Sequence, residues 1–379
     1  MSSIHTPVSG PLRAVQVLGA TAAAHACSLA GGLAARGVEV TVCGPTEVMD
    51  ACSLCGTGAH FAPVETAAPP GPRTDAMAVA ALRSACVGAD VVHAHGLRAG
   101  LLASLALPRA HRPALVVTWH GSKQPSGPRS AMTMLLERRV AKAATVVLGA
   151  SSDLVDRLRA MGARDVRLAP LSFPAPPLDT ALPAEDSERK HRKIREELGA
   201  IDRPLIVAVG RLEPDQGHGQ LLDAALRWRA LDSPPLVAIA GEGRRRQALQ
   251  RRIDNEGLPV RLLGRRDDLG ELLTAADLVV LAGRGDTHAL IAQEALYAGA
   301  PLVATAADGL PELVGDAAVL VPDKDPDALA RSVASLLADP GHRDRLAAAG
   351  RAQAASWPTE DDMVAQVLSV YDELADRKL

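Results

Sequence analysis

The sequence predicts an α/β protein built from two parallel-sheet halves, each doubly wound. Three observations lead there. Short apolar runs such as Thr145-Val-Val-Leu-Gly149, Pro204 to Val209 and Asp277-Leu-Val-Val-Leu-Ala282 have no charged or strongly polar side, as strands buried on both faces require. Stretches with helical spacing separate these runs, and a strand–helix–strand alternation makes a parallel sheet with right-handed crossovers. The chain of 379 residues is too long for one such unit, and a proline-rich stretch, Pro170 to Pro183, divides it.

The elements follow in order. Arg13 to Leu18 is a strand, a small-residue turn follows, and a helix from about Thr21 to Arg36 stops at Gly37. Val38 to Cys43 is the second strand, and residues 46 to 72 read as irregular. A helix over 74 to 87 leads into the strand Asp90 to His95, and Leu97 to Leu107 is helical. Ala114 to Trp119 is a strand ending on His120-Gly121, and a loop from Ser122 to Arg129 precedes a helix from Ser130 to Ala143. Thr145 to Gly149, a helix from Ser152 to Met161 and Asp165 to Ala169 complete the first half. After Pro183 a charged helix, Ser187 to Leu198, opens the second half, whose strands start at Pro204, Leu236, Val260, Leu278, Leu302 and Ala318. Helices over Pro326 to Ala338 and His342 to Ala355 follow, Trp357-Pro358 breaks the chain, and a last helix runs from about Asp361 to Ala375. The reading is therefore a short N-terminus (1–12), a Rossmann-like half (13–183) onto which the final helix (361–375) packs back, and a second Rossmann-like half (184–360).

Composition narrows the function. Hydrophobic residues are 47% and charged residues 22%, enough for a sizeable core, while aromatics are 2%, so that core is Ala, Val and Leu. So few aromatics, with a net charge of −3, disfavour a nucleic-acid surface. No run approaches the length of a membrane span, and Met1 to Pro11 lacks the apolar segment of a signal peptide. The five cysteines are read as reduced thiols of a cytoplasmic protein, and Cys52-x-x-Cys55 has no second ligand pair for zinc.

Four strand ends carry corners able to do chemistry: Gly19 to His25, Trp119 to Ser122, Gly210 to Gly217, and Gly283 to Glu294. None has the dinucleotide fingerprint or the phosphate loop of the nucleotidases. Arg211 is a guanidinium at a strand end, suited to bidentate contact with a diphosphate. Asp286 and Glu294 stand eight positions apart, one at the mouth of a helix and one about two turns inside it. His93 and His95 share a strand face and read as a packed pair. Among Asp323, Asp325 and Asp327, helix capping is favoured over metal binding.

These corners resemble the GT-B retaining glycosyltransferases of family 4 over about residues 14 to 375. The resemblance rests on Gly210-Arg-Leu-x-Pro-x-x-Gly217, on Asp286-x7-Glu294, on Asp308-Gly-Leu-Pro-Glu312, and on Asp90-Val-Val-His-Ala-His-Gly-Leu-Arg98, in that family's order and spacing. It implies a GT-B fold, two Rossmann-like domains facing a central cleft, with a nucleotide-sugar donor held mainly by the second. By match to the motifs, Arg211 neutralises the diphosphate, Glu294 bonds the ribose, Arg265 lies near the base, and His120 and Asp286 face the transferred sugar. Gln216 stands where the family has a lysine, and the first turn keeps Gly19 without the family's glycine pair. The resemblance implies no metal and no other cofactor. It leaves the acceptor open, admits a lipid-linked one with contact at a membrane surface, and admits as an alternative a binding subunit with weakened catalysis.

Overall fold

The computed structural model describes residues 10–19, 23–46, 57–66, 71–107, 113–120, 130–169, 184–214, 216–284, 288–307 and 309–376. The chain forms two compact units, Met1–Pro174 with Pro358–Leu379, and Ala175–Trp357.

In the first unit seven parallel strands run in the order β3-β2-β1-β4-β5-β6-β7. They are β1 (Arg13–Val17), β2 (Glu39–Gly44), β3 (His60–Pro63), β4 (Val91–His95), β5 (Ala114–Trp119), β6 (Val146–Gly149) and β7 (Val166–Leu168). β3 falls inside the stretch expected to be irregular. It is a four-residue edge strand, His-Phe-Ala-Pro, paired to Thr41 through Gly44. An edge strand needs neither an apolar run nor length, so its pattern is faint.

One face of this sheet is covered by helices Pro72–Ala85, Leu97–Ala106, Ser130–Ala143 and Ser152–Ala160, and the core there includes Leu82, Leu102, Val140 and Leu158. The other face is covered by α1 (Ala23–Ala35) and by the last helix of the chain, Glu360–Asp376. These two lie close: a Cβ on Gly32 would sit 2.5 Å from Val364 Cγ2. Arg36 pairs with Asp361 at 2.8 Å, and Arg167 with Glu373 at 2.7 Å.

Tyr371 of that last helix is fully buried, and its hydroxyl accepts from Gln16 Nε2 and meets His93 Nδ1, each at 2.7 Å. Tyr371→Phe removes the hydroxyl and leaves both groups unpaired in the interior. The expected loss is on the order of 2–4 kcal/mol of stability, and equilibrium denaturation of the full chain measures it. An unchanged midpoint would mean the bonds contribute nothing net.

In the second unit six parallel strands run in the order β10-β9-β8-β11-β12-β13. They are β8 (Leu205–Val209), β9 (Leu236–Ala240), β10 (Val260–Gly264), β11 (Leu278–Leu281), β12 (Leu302–Thr305) and β13 (Ala318–Val321). One core holds Leu272, Ala292, Leu296 and Val314 against one face, and the other holds Leu222, Trp228, Leu249 and Val333. With so few aromatics, Trp228 is the largest buried side chain here, and its indole N–H donates to Ala330 O at 3.1 Å. Asp325 caps helix Pro326–Ala338 through Ala328 N at 2.8 Å, the role its position suggests.

Among the described residues no helix is long and apolar enough to cross a membrane. Cys43 and Cys86 are free thiols, but Cys27 is disulfide-bonded, which corrects the expectation of five reduced cysteines. That expectation rested on spacing along the chain, which does not say which cysteines a fold brings together.

Candidate functional site

Each sheet has one point where the strand order reverses direction. In the first unit it lies between β1 and β4, in the second between β8 and β11. Crevices at the C-terminal ends of strands at such points are where open α/β sheets bind ligands. Gly19 and His120 lie at the first of these points, and Arg211, Gln216 and Glu294 at the second.

In the first unit, β1 runs on to Gly19, which is buried, and a Cβ there would lie 3.1 Å from His95 O. β5 runs on to His120. Four imidazoles cluster here. His93 and His95 stack with ring centroids 4.4 Å apart, His95 and His120 stack at 5.6 Å, and His25 of α1 meets His120 edge-on at 5.2 Å. A bond chain runs beneath them: His95 Nε2 to Gln16 Oε1 at 2.7 Å, Gln16 Nε2 to Tyr371, Tyr371 to His93 Nδ1, and His93 Nε2 to Thr118 Oγ1 at 2.6 Å. Burial, with the imidazole of His25, pushes His93 down to about 3. Burial and neighbouring imidazoles hold His95 and His120 well below the ordinary value, so these two rings and His93 are neutral. Among the described residues no group of three or more His, Cys, Asp or Glu is placed to hold a metal ion.

In the second unit the corner is built by backbones in contact. Gly217 is left-handed with φ 73° and precedes the helix His218–Trp228; a Cβ there would lie 2.0 Å from Ala282 O. Gly283, with φ 76°, lies against Gly217, and its N–H donates to the buried Thr305 Oγ1 at 2.8 Å. On the other side Gly241 approaches Gly210 O so closely that a Cβ would be 1.9 Å away, and Leu212 N donates to Glu242 O at 2.9 Å. The turn carrying Arg211 is thus clamped between the exits of β9 and β11. His218 Nε2 donates to Arg211 O at 3.1 Å and fixes that peptide. Burial lowers His218, opposed by that bond, so it donates as a neutral ring.

Arg211 is exposed on this turn. Gln216 is 3% exposed, with Oε1 3.8 Å from the Cβ position of Gly210, so it is packed inside the turn. Helix His288–Tyr297 begins beyond β11 and carries Glu294, which is half-buried and has no side-chain partner among the described residues. Burial raises its pKa. Arg265 follows β10, two strands from β8, where it is exposed and 3.7 Å from Asp267. Asp286 lies outside the described residues, as do residues 20–22 of the first turn, the loop 122–129, the cysteines 52 and 55, and the connection 170–183.

Arg211, Gln216 and Glu294 therefore share the switch point of the second unit, and Gly19 and His120 that of the first. Sequence reasoning missed the involvement of His25, Gln16 and Tyr371, and treated His95 as packing. The period-two spacing of His93 and His95 was the available signal, since it puts both rings on one strand face.

Comparison with known proteins gives one answer. Residues 190–353 match the family described as glycosyl transferases group 1, and residues 20–174 match a glycosyl transferase 4-like domain. The chain is 30% identical over 312 residues to a D-inositol 3-phosphate glycosyltransferase of Xylanimonas cellulosilytica, covering 76% of this chain and 73% of that protein. It is 32% identical over 217 residues to a GDP-mannose-dependent alpha-(1-6)-phosphatidylinositol monomannoside mannosyltransferase of Mycolicibacterium smegmatis, covering 53% of this chain and 56% of the other. The Anabaena protein HepE, solved with UDP-glucose, has a similar fold, with a TM-score of 0.77 at 19% identity over 94% of this chain and 99% of that one.

Proposed function

This chain belongs to the GT-B glycosyltransferases of the group 1, family 4-like type, and we propose that it is a retaining enzyme moving a hexose from a nucleoside-diphosphate donor to a hydroxyl of a phosphorylated polyol. One observation carries the donor side: the glycine-clamped turn that sets Arg211 at the switch point of the second sheet, between the strand exits that lead to Glu242 and Glu294. The carbon–oxygen bond to the diphosphate breaks, and the leaving oxygens take up negative charge. Arg211 and the start of helix His218–Trp228 meet that charge. The acceptor oxygen bonds to the same face of the sugar carbon, and its proton passes to the departing diphosphate. Glu294 accepts from the ribose hydroxyls, Arg265 lies toward the base, and His120 and Asp286 face the sugar. The names of the inositol phosphate and phosphatidylinositol relatives support the polyol class and a lipid-linked version of it at a membrane surface.

Thermal shift with UDP, GDP and ADP tests the reading. A ligand bound only by the folded chain at a hundred times its Kd stabilises by about 2.7 kcal/mol, so one of the three raises the melting temperature by several degrees. No rise with any of them at millimolar concentration would overturn it.

Glu294→Gln separates binding from stability. Its carboxyl pKa is raised by folding, so the folded chain holds the extra proton between the unfolded and folded values. Stability from this group is complete below the unfolded pKa, falls as pH rises through that window, and stays lower above it. The glutamine variant therefore melts higher than the parent at neutral pH, by a gap that closes on acidification. It binds the nucleotide about ten- to a hundredfold more weakly, because the charged acceptor is gone. Equal nucleotide affinity in the two proteins would remove Glu294 from the ribose.

A further inference from the structure

His95 stands at the switch point of the first sheet, at the end of β4, with Gly19 against its carbonyl. The residue is 1% exposed. One nitrogen, Nε2, is bonded to Gln16 Oε1; the other, Nδ1, is buried with no hydrogen-bond partner among the described residues. Both nitrogens of the neighbouring His120 are in the same condition. Buried polar atoms in folded proteins are nearly always satisfied, so three such atoms on two facing rings mark a place that something else fills. The bond chain fixes what His95 lacks. Gln16 presents its oxygen to His95 and its amide nitrogen to Tyr371, so His95 Nε2 carries the proton and Nδ1 carries a lone pair. Tyr371 then donates to His93 Nδ1, and His93 Nε2 donates to Thr118, all in one sense.

We propose that His95 Nδ1 binds a hydroxyl of the sugar or polyol substrate, as a second imidazole beside His120, and that Tyr371, acting through Gln16, is the positioning residue that keeps Nδ1 an acceptor. The inference rests on the glycosyltransferase reading above. A neutral nitrogen acceptor takes a hydroxyl donor and gains nothing from a phosphate or carboxylate oxygen, which bring only lone pairs. Nδ1 is covered as the chain stands, so the hydroxyl enters with a shift of neighbouring side chains, a common accompaniment of binding.

The test uses the full chain with nitrogen-15 in its histidines. Long-range proton–nitrogen spectra assign His95 by its absence in His95→Gln. The parent shows Nδ1 unprotonated, and Tyr371→Phe, by releasing Gln16, splits the His95 signal between tautomers. UDP-glucose or GDP-mannose shifting Nδ1 where UDP or GDP alone does not places the hydroxyl on the donor sugar. D-inositol 3-phosphate shifting it places the hydroxyl on the acceptor. His95→Gln, which keeps the bond to Gln16 and lacks Nδ1, weakens the effective probe about tenfold; His95→Asn, with an acceptor nearer the Nδ1 position, recovers part of that loss. A protonated Nδ1 in the parent, or an Nδ1 that stays still while other resonances respond, overturns the inference and leaves the atom to an internal water. No response anywhere to any probe overturns the glycosyltransferase reading, and this inference with it.

Discussion

Gly217→Ala is expected to cost about 4 kcal/mol or more, at the extreme of what single substitutions do. Two penalties add. Alanine in the left-handed region, at φ 73°, costs roughly 1–2 kcal/mol. The larger part is collision: the new Cβ would lie 2.0 Å from Ala282 O, 2.2 Å from its carbon and 2.5 Å from Gly283 N. All three are backbone atoms, so no rotamer change relieves the overlap, and the exits of β8 and β11 must separate. That separation also withdraws Gly283 from Thr305 and spoils the donor corner. Gly257→Ala is the control. Gly257 is left-handed too, at φ 59°, but nothing lies within 4 Å of the added methyl, so only the conformational penalty applies. Urea denaturation of both variants measures the difference. If Gly217→Ala is no worse than Gly257→Ala, the clamp does not hold the turn.

Arg211→Met is expected to lower kcat/KM by about a hundred- to a thousandfold, the usual loss when a preorganised donor to developing charge is removed. The side chain is exposed, so the melting temperature stays within a degree or so of the parent. Arg211→Lys recovers only part of the activity, since an ammonium supplies charge without the planar fork. The prediction is sharp because the peptide beneath Arg211 is held on both sides, by His218 and through Leu212 by Glu242, so the substitution changes the guanidinium and little else. Transfer within a few-fold of the parent, from a protein that melts normally, would move the diphosphate away from Arg211.

Local physics made most of the fold readable. A strand buried on both faces has to be apolar throughout, and Leu278–Leu281 and Val91–Val92 are. β3 was hidden because an edge strand is excused from that rule. The donor corner was half readable. The spacing from Gly210 to Gly217 marks a tight turn around Arg211, but the need for glycine at 217 comes from the backbone of Ala282, which sequence distance conceals. Gln216, at the position of the family's lysine, is packed within the turn; a side chain on a short loop can point either way, and Gly210 and His218 lie beside it. The histidine cluster was the least legible, because the bond that organises it joins residues 355 positions apart.

That bond has a consequence for how the protein is made. The first sheet appears early in synthesis, but half of one face, and the phenol that satisfies Gln16 and His93, arrive with the last residues. Translation at about 5–20 residues per second puts roughly 10–40 s between the emergence of Pro174 and that of Pro358. Throughout that interval the nascent first unit exposes the apolar floor that Val364, Val367 and Val370 later cover. A ribosome that stalls within the second unit therefore releases a chain with an unfinished first one, a natural substrate for chaperones and proteases.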